Sequence, residues 1–234
     1  MKPQHFNFIL IIVIIILVLK DGYFTKLKKN IFKQVQTQDN VINSSYYWFQ
    51  KFEIYQGFDC QNKIVFLGTS LFDDIDMNEL FNRNDIVNRG IGGDITHGVL
   101  IRVNHYIMQK PKCIFLKIGV NDIFWGFNMD TIRSNYFQIV KKIVDKKIPL
   151  FILSTNQVSE NFKNHKKINS QVVELNNYLI QLSTDLNLTY VDINSNLTNS
   201  SGLKNRFTPD GIHLNLLGYM SFKKSIEPFL NNIN

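Results

Sequence analysis

Cysteine is almost absent from this chain. There are two, Cys60 and Cys113, in 234 residues. That is too few for a disulfide framework, and neither sits in a spacing that holds zinc. Each lies just before or at the start of an expected strand. If those strands are neighbours, one disulfide is open to the chain in an oxidising compartment. Two buried, unpaired thiols are the plainer expectation. Nucleic-acid signals are also missing. The net charge is +7, but the lysines come in scattered pairs such as Lys141-Lys142, Lys166-Lys167 and Lys223-Lys224. Such pairs lie in or at the ends of amphipathic patterns, as a solvated face does. No basic stripe interleaved with aromatics accompanies them, so nucleic acid is not an expected partner. No P-loop pattern follows the one glycine-rich stretch, and no cofactor or metal is expected. No internal repeat is present. Hydrophobic content of 44% and charged content of 19% are globular proportions, which argues against disorder.

Long hydrophobic runs are confined to one place, the twelve apolar residues 8–19. That is short of the ~20 residues that span a bilayer comfortably. No small-x-small cleavage site follows, because Lys20-Asp21-Gly22-Tyr23 is the wrong chemistry. An uncleaved anchor is therefore expected rather than a removed signal. Lys20, Lys26, Lys28, Lys29 and Lys33 follow the run, and the positive-inside rule would keep the body cytoplasmic. Export segments usually carry their charge in front. The expectation adopted is a membrane-anchored, extracytoplasmic domain, with a secreted form as the alternative. Residues 1–20 would be the anchor or signal, 21–58 a basic and aromatic stalk, and 59–234 the folded domain.

The body alternates strands with helices. Apolar runs predict strands at 64–67, 85–88, 113–118, 150–153 and 188–191. Helical spacing predicts helices over 71–81, 95–109, 131–147, 168–186 and 216–230. Asp130 is the expected N-cap of the third. An Asn-, Ser- and Thr-rich loop is expected over 194–208. Regular βα alternation implies a parallel sheet covered by helices on both faces.

Four blocks fall at strand ends or in facing loops. Gly68-Thr69-Ser70 puts a serine on a tight turn between a buried strand and a helix. Read alone, Ser70 is a helix cap. Gly90-Ile91-Gly92-Gly93-Asp94 can turn backbone N–H groups toward a ligand, or be a plain loop with Asp94 capping the next helix. Gly119-Val120-Asn121-Asp122 can aim a side-chain N–H into the same cleft, or simply turn. Asp210-Gly211-Ile212-His213 places a carboxylate and an imidazole on one side of a turn. There His213 can act as a general base with Asp210 holding its tautomer.

Together, in this order, the four blocks resemble the SGNH/GDSL hydrolase family, over about residues 63–219. The second block looks like the branch that contains platelet-activating-factor acetylhydrolase catalytic subunits. The resemblance implies a flavodoxin-like three-layer α/β/α fold with a five-stranded parallel sheet. It implies Ser70 as nucleophile, His213 as general base and acid, and Asp210 as its partner. It also implies an oxyanion hole from the Ser70 and Gly93 backbone N–H groups and the Asn121 side chain. The expected activity is hydrolysis of small acyl esters, acetyl foremost, with an O-acetylated carbohydrate as one substrate form. A sugar O-acyltransferase with the same acyl-enzyme is an alternative, and a non-catalytic binding protein is another. One residue departs from the family pattern: Thr69 stands where the family usually has Asp. A hydroxyl would then replace that carboxylate's hydrogen bonds to neighbouring loops, at a cost in rigidity. His5, His97, His105 and His165 read as surface or structural. Of the two tryptophans, Trp125 is better placed than Trp48 to line the site, with packing the default for both.

Overall fold

A computed structural model describes residues 37–233. The chain divides into two compact units, Met1–Ser44 and Ser45–Asn234. Of the first unit the described part is one short helix, α1 (Gln38–Asn43), capped by Thr37, whose side chain accepts the Asn40 N–H. The expected anchor at 1–20 and the stalk as far as 36 lie outside the described residues. Among the described residues no helix is long and apolar enough to cross a membrane.

The second unit carries the sheet. Its strands are β1 (Ile64–Gly68), β2 (Ile86–Gly90), β3 (Cys113–Lys117), β4 (Leu150–Leu153) and β5 (Thr189–Val191). They pair in the order β2-β1-β3-β4-β5, all parallel. Such a sheet needs both faces covered, which is why its strands read as unbroken apolar runs. Alternate side chains enter alternate layers. Val65, Leu67, Ile114 and Leu116 join one core, with α5 (Thr96–Ile107), α7 (Met129–Asp145) and α8 (His165–Asp185). Ile64, Phe66 and Phe115 join the other, with α3 (Ser70–Asp73), α4 (Met77–Phe81) and α10 (Leu216–Leu230). Phe66 stacks on Phe115 at 4.9 Å, and Phe115 on Phe151 at 4.4 Å. Fully burying a ring such as Phe66 or Phe115 contributes ~1.5–3 kcal/mol.

The five-stranded α/β architecture is as expected, but several local features differ. The stretch 71–81 is two helices, because Asp76 starts a new one by accepting the Asn78 and Glu79 N–H groups. The cap of α7 is Asn128, whose Oδ1 accepts the Asp130 N–H, so the helix starts earlier than expected. The 194–208 loop holds α9 (Asn194–Leu197), a small hairpin of β6 (Thr198–Asn199) and β7 (Gly202–Leu203), and a 3-10 turn. Cys60 and Cys113 are both free and buried, and they lie in opposite core layers. The sheet between them rules out a bond, and burial pushes their thiols up to about 11 and about 12.

One helix packs where a stalk was expected. α2 (Tyr46–Gln56) is part of the second unit, with Trp48 buried. α6 (Val120–Trp125) is a short helix directly after β3. At the far end, α10 closes over α3, and the Tyr219 O–H donates to the Leu71 carbonyl at 3.1 Å. Arg83 donates to the Leu230 carbonyl at 3.2 Å, clasping the end of α10.

Candidate active site

The C-terminal ends of β2, β1 and β3 lie side by side and carry the first three blocks. Gly68 ends β1, and a Cβ there would meet the Lys117 carbonyl at 2.4 Å. Only glycine lets the neighbouring strands approach this closely. Ser70 follows as the first residue of α3 at the rim of the sheet. Thr69 is fully buried, and its Oγ1 has no hydrogen-bond partner among the described residues. The expectation that its hydroxyl replaces a carboxylate's loop contacts is therefore overturned.

The second block is held by buried charge. Arg102 donates to Asp94 Oδ2 through Nε at 2.9 Å, to the Arg89 carbonyl at 2.8 Å and to the Gly68 carbonyl at 2.9 Å. Trp48 Nε1 donates to Asp94 Oδ1 at 2.9 Å. Asp94 thus does not cap α5; it neutralises an arginine that ties the ends of β1 and β2 together. Burial raises the Asp94 carboxyl, and Arg102 opposes that shift. Gly93 sits at φ +76° with open space beside it, a conformation that disfavours any residue with a Cβ.

The third block is locked from beneath. Asn121 Nδ2 donates to the Asp94 carbonyl at 2.8 Å, bringing it to the Gly93 loop. A carboxamide has a second N–H, which leaves one for a ligand. Asp122 is buried and accepts from the Thr96 N–H at 2.9 Å and the Thr96 hydroxyl at 2.6 Å. Asn135 donates to that hydroxyl at 3.0 Å, joining α5, α6 and α7. Burial pushes Asp122 up to about 7, although the bonds from Thr96 pull it down.

The fourth block sits above α10 and is more open. Asp210 Oδ2 faces His213 Nδ1 at 2.6 Å, with the side chains 49% and 43% exposed. Asp210 Oδ1 accepts the Ile212 and His213 N–H groups at 2.9 Å each. Against the opposing effect of burial, the His213 bond and these N–H groups lower Asp210 to about 2. The carboxylate therefore stays charged and fixes the ring through Nδ1, leaving Nε2 for another partner. Ser70 and His213 line one small pocket, but no hydrogen bond joins their side chains among the described residues. Such bonds are often long before substrate binds.

Sequence reasoning missed two residues on this pocket's wall. Lys117 is buried and has no ion-pair partner among the described residues, and burial alone lowers its amine to about 7. Asn156 is also buried, and its Oδ1 has no hydrogen-bond partner among the described residues. The signal for Lys117 was present as a lone charge in the apolar run 113–118. The tryptophans exchange their expected places: Trp48 touches the second block, whereas Trp125 is 47% exposed. No group of three or more metal-ligating side chains occurs among the described residues.

These blocks lie on the rim of a parallel five-stranded α/β sheet. The model of the GDSL-like Lipase/Acylhydrolase family matches residues 75–220, and the chain belongs to that family. The match holds Gly93, Asn121, Asp210 and His213 and begins after Ser70. Solved structures agree on the fold. A Bacteroides fragilis NCTC 9343 protein classed as an acylhydrolase superposes with TM-score 0.70 at 20% identity, covering 80% of this chain and 98% of that one. A Streptococcus pneumonia protein classed as platelet activating factor gives TM-score 0.70 at 23% identity, covering 89% and 99%. The acetyl xylan esterase AlAXEase gives 0.60 at 17% identity, covering 72% and 99%. By sequence, the chain is 22% identical over 122 residues to an N-acylneuraminate cytidylyltransferase of Streptococcus agalactiae serotype V. The aligned segment is 52% of this chain and 29% of that relative, so the chain spans less than a third of its length.

Proposed function

We propose that the chain is a serine esterase that removes small acyl groups, acetyl foremost, from hydroxylated substrates such as carbohydrates. The observation that carries this reading is the Asp210–His213 pair at 2.6 Å, whose imidazole lines one pocket with Ser70. In the reaction, His213 Nε2 takes the Ser70 proton as Oγ bonds to the ester carbonyl carbon. The carbonyl oxygen becomes negative and is held by the Ser70 and Gly93 N–H groups and the Asn121 amide. Collapse breaks the bond to the alcohol, which leaves with the proton from His213. Water, deprotonated by the same ring, then releases the acid and frees Ser70.

Two further observations support a small acyl group on a sugar. The pocket lined by Ser70 and His213 is small, which favours a short acyl group over a long chain. A fold neighbour is an acetyl xylan esterase, and a sequence relative acts in name on an N-acylneuraminate. Anchoring of the domain outside the cytoplasm through residues 8–19 is part of the proposal and rests on that apolar run alone. Membrane flotation with and without residues 1–20 tests it.

The activity test is hydrolysis of nitrophenyl esters of increasing chain length, alongside acetylated sugars. Acetate is expected to be the best acyl group, and Ser70→Ala is expected to lose at least ~10⁴-fold in kcat. Wild-type rates in Ser70→Ala would end the serine assignment. Acyl transfer to an added sugar in preference to water would make the protein a transferase. Failure of a fluorophosphonate to label Ser70 would make it a binding protein.

A further inference from the structure

The residue that departs from the family pattern, Thr69, makes no side-chain hydrogen bond among the described residues. A carboxylate one turn further on makes three polar contacts. Asp73 is in α3 with a side chain only 4% exposed. Its Oδ2 accepts the Gly92 N–H at 2.7 Å and the Tyr47 O–H at 2.5 Å. Its Oδ1 faces Lys51 Nζ at 2.6 Å. Gly92 immediately precedes Gly93, whose N–H is a donor of the proposed oxyanion hole. A Cβ at Gly92 would lie 3.3 Å from Asp73 Oδ2 and 3.5 Å from the Tyr47 ring, so this stretch is packed as well as bonded.

The supports of Asp73 come from one face of α2. Tyr47 and Lys51 are one helical turn apart. Lys51 also lies 5.6 Å from the ring centroids of both Tyr47 and Tyr55. The Tyr55 O–H donates to the Gly90 carbonyl at 2.7 Å, and Trp48 reaches Asp94. Four side chains of α2 therefore bond the loop from Gly90 to Asp94 or the carboxylate that holds it. Burial and the bond to Asp73 raise Tyr47 to about 12, so it is a neutral donor at physiological pH. Burial works against the Lys51 charge, but the contact with Asp73 outweighs it and keeps the amine protonated. The same residues would be superfluous if the loop only had to be closed, since Arg102 already ties Gly68 to Arg89. What Asp73 adds is the direction of the Gly92 peptide.

We propose that Asp73 is a positioning residue for the oxyanion hole: braced by Tyr47 and Lys51, it orients the Gly92–Gly93 turn so that the Gly93 N–H faces the substrate oxygen. This deepens the esterase reading and rests on it. It also makes α2 a working part of the domain rather than a stalk.

The test compares Asp73→Ala, Asp73→Asn and Tyr47→Phe in protein containing α2, with acetate hydrolysis and thermal unfolding measured on each. A lost oxyanion donor costs ~10²–10³ in rate, and a misdirected one costs less. Asp73→Ala is expected to lower kcat by about 30-fold with KM within twofold, as a group acting only in the transition state does. Asp73→Asn keeps an acceptor for Gly92 and is expected to restore kcat to within about fivefold of wild type. Tyr47→Phe, which removes one hydroxyl from a part-exposed site, is expected to lose about threefold in kcat at unchanged melting temperature. That variant keeps the test decisive if Asp73→Ala does not fold. The rate of Ser70 labelling by a fluorophosphonate should fall in step with kcat. The proposal is overturned if Asn and Ala at 73 are equally slow, if KM rises while kcat holds, or if Tyr47→Phe leaves kcat unchanged. Absence of Ser70 labelling in the wild-type protein is a different failure, that of the esterase reading itself.

Discussion

The two halves of the site are built differently. Gly93 and Asn121 sit on a frame of buried polar bonds that join distant parts of the chain: Arg102 to Gly68, Trp48 to Asp94, Asp122 to Thr96. Asp210 and His213 sit on a half-exposed turn, bonded mainly to its own neighbours. Preorganised donors stabilise a transition state only if they need not move, so rigidity belongs on the oxyanion side. In the proposed reaction the histidine shuttles a proton between Ser70, the leaving group and water, and some freedom suits it. The difference also separates stability from rate. A defect in the frame should unfold the protein, whereas a defect in the turn should slow it.

The sharpest way to break this comparison is a pair of isosteric changes. Asp94→Asn leaves Arg102 buried without its counter-ion, and loss of one partner of such a pair costs ~3–5 kcal/mol. Asp210→Asn alters an exposed pair, whose stability contribution is ~0–1 kcal/mol. Its kcat should fall by roughly 10³-fold or more, because the ring loses the acceptor that fixes its tautomer. Urea unfolding and ester kinetics on both variants decide the matter. Equal losses of stability would collapse the distinction.

Intermediate effects come from two buried titratable groups, Asp122 and Lys117. Asp122, raised to about 7, holds a proton in the native state that the unfolded chain releases near pH 4. Stability should therefore fall as pH rises from about 4 to 7, and Asp122→Asn should flatten that slope. Lys117, lowered to about 7, is the reverse case. Between about pH 7 and 10 the unfolded chain holds the extra proton, so stability should rise with pH there. Lys117→Met should remove that rise and add on the order of 1 kcal/mol of stability at pH 6. Unfolding curves across pH 4–10 measure both. The smallest effect belongs to the turn. Asp210 is lowered to about 2, so its contribution is present above the ordinary carboxylate range and is lost as pH falls through about 2. Its exposure keeps that contribution small. Asp210→Asn should barely change the acid limb of the unfolding profile.

The sheet and the four blocks were legible because each has a local signature. Apolar runs mark the strands, and glycines with small polar residues mark the strand ends. The features that escaped are those set by tertiary contact. The Asn128 cap competes with Asp130 two residues on, and sequence alone does not rank them. Asp73 looks like an ordinary helix residue until Gly92 and Tyr47 arrive from elsewhere in the chain. The aromatic segment 46–58 has no marked amphipathic pattern, so its bonds to the second block left no periodic trace. Lys117 was visible as a misfit, but its neighbours, which make it part of a pocket, were not.

The clasp at the end of the chain bears on how the protein is made. Ser70, Gly93 and Asn121 lie in its first two thirds, whereas His213 is carried by the turn before α10. That helix closes through the Tyr219–Leu71 and Arg83–Leu230 bonds, which span nearly the whole domain. Contacts this distant in sequence form late, and domains fold as they emerge from the N-terminal side. Under the proposed mechanism the chain on the ribosome would expose its serine before it owns a base to activate it. Each molecule would then stay unreactive through synthesis until its final segment docks.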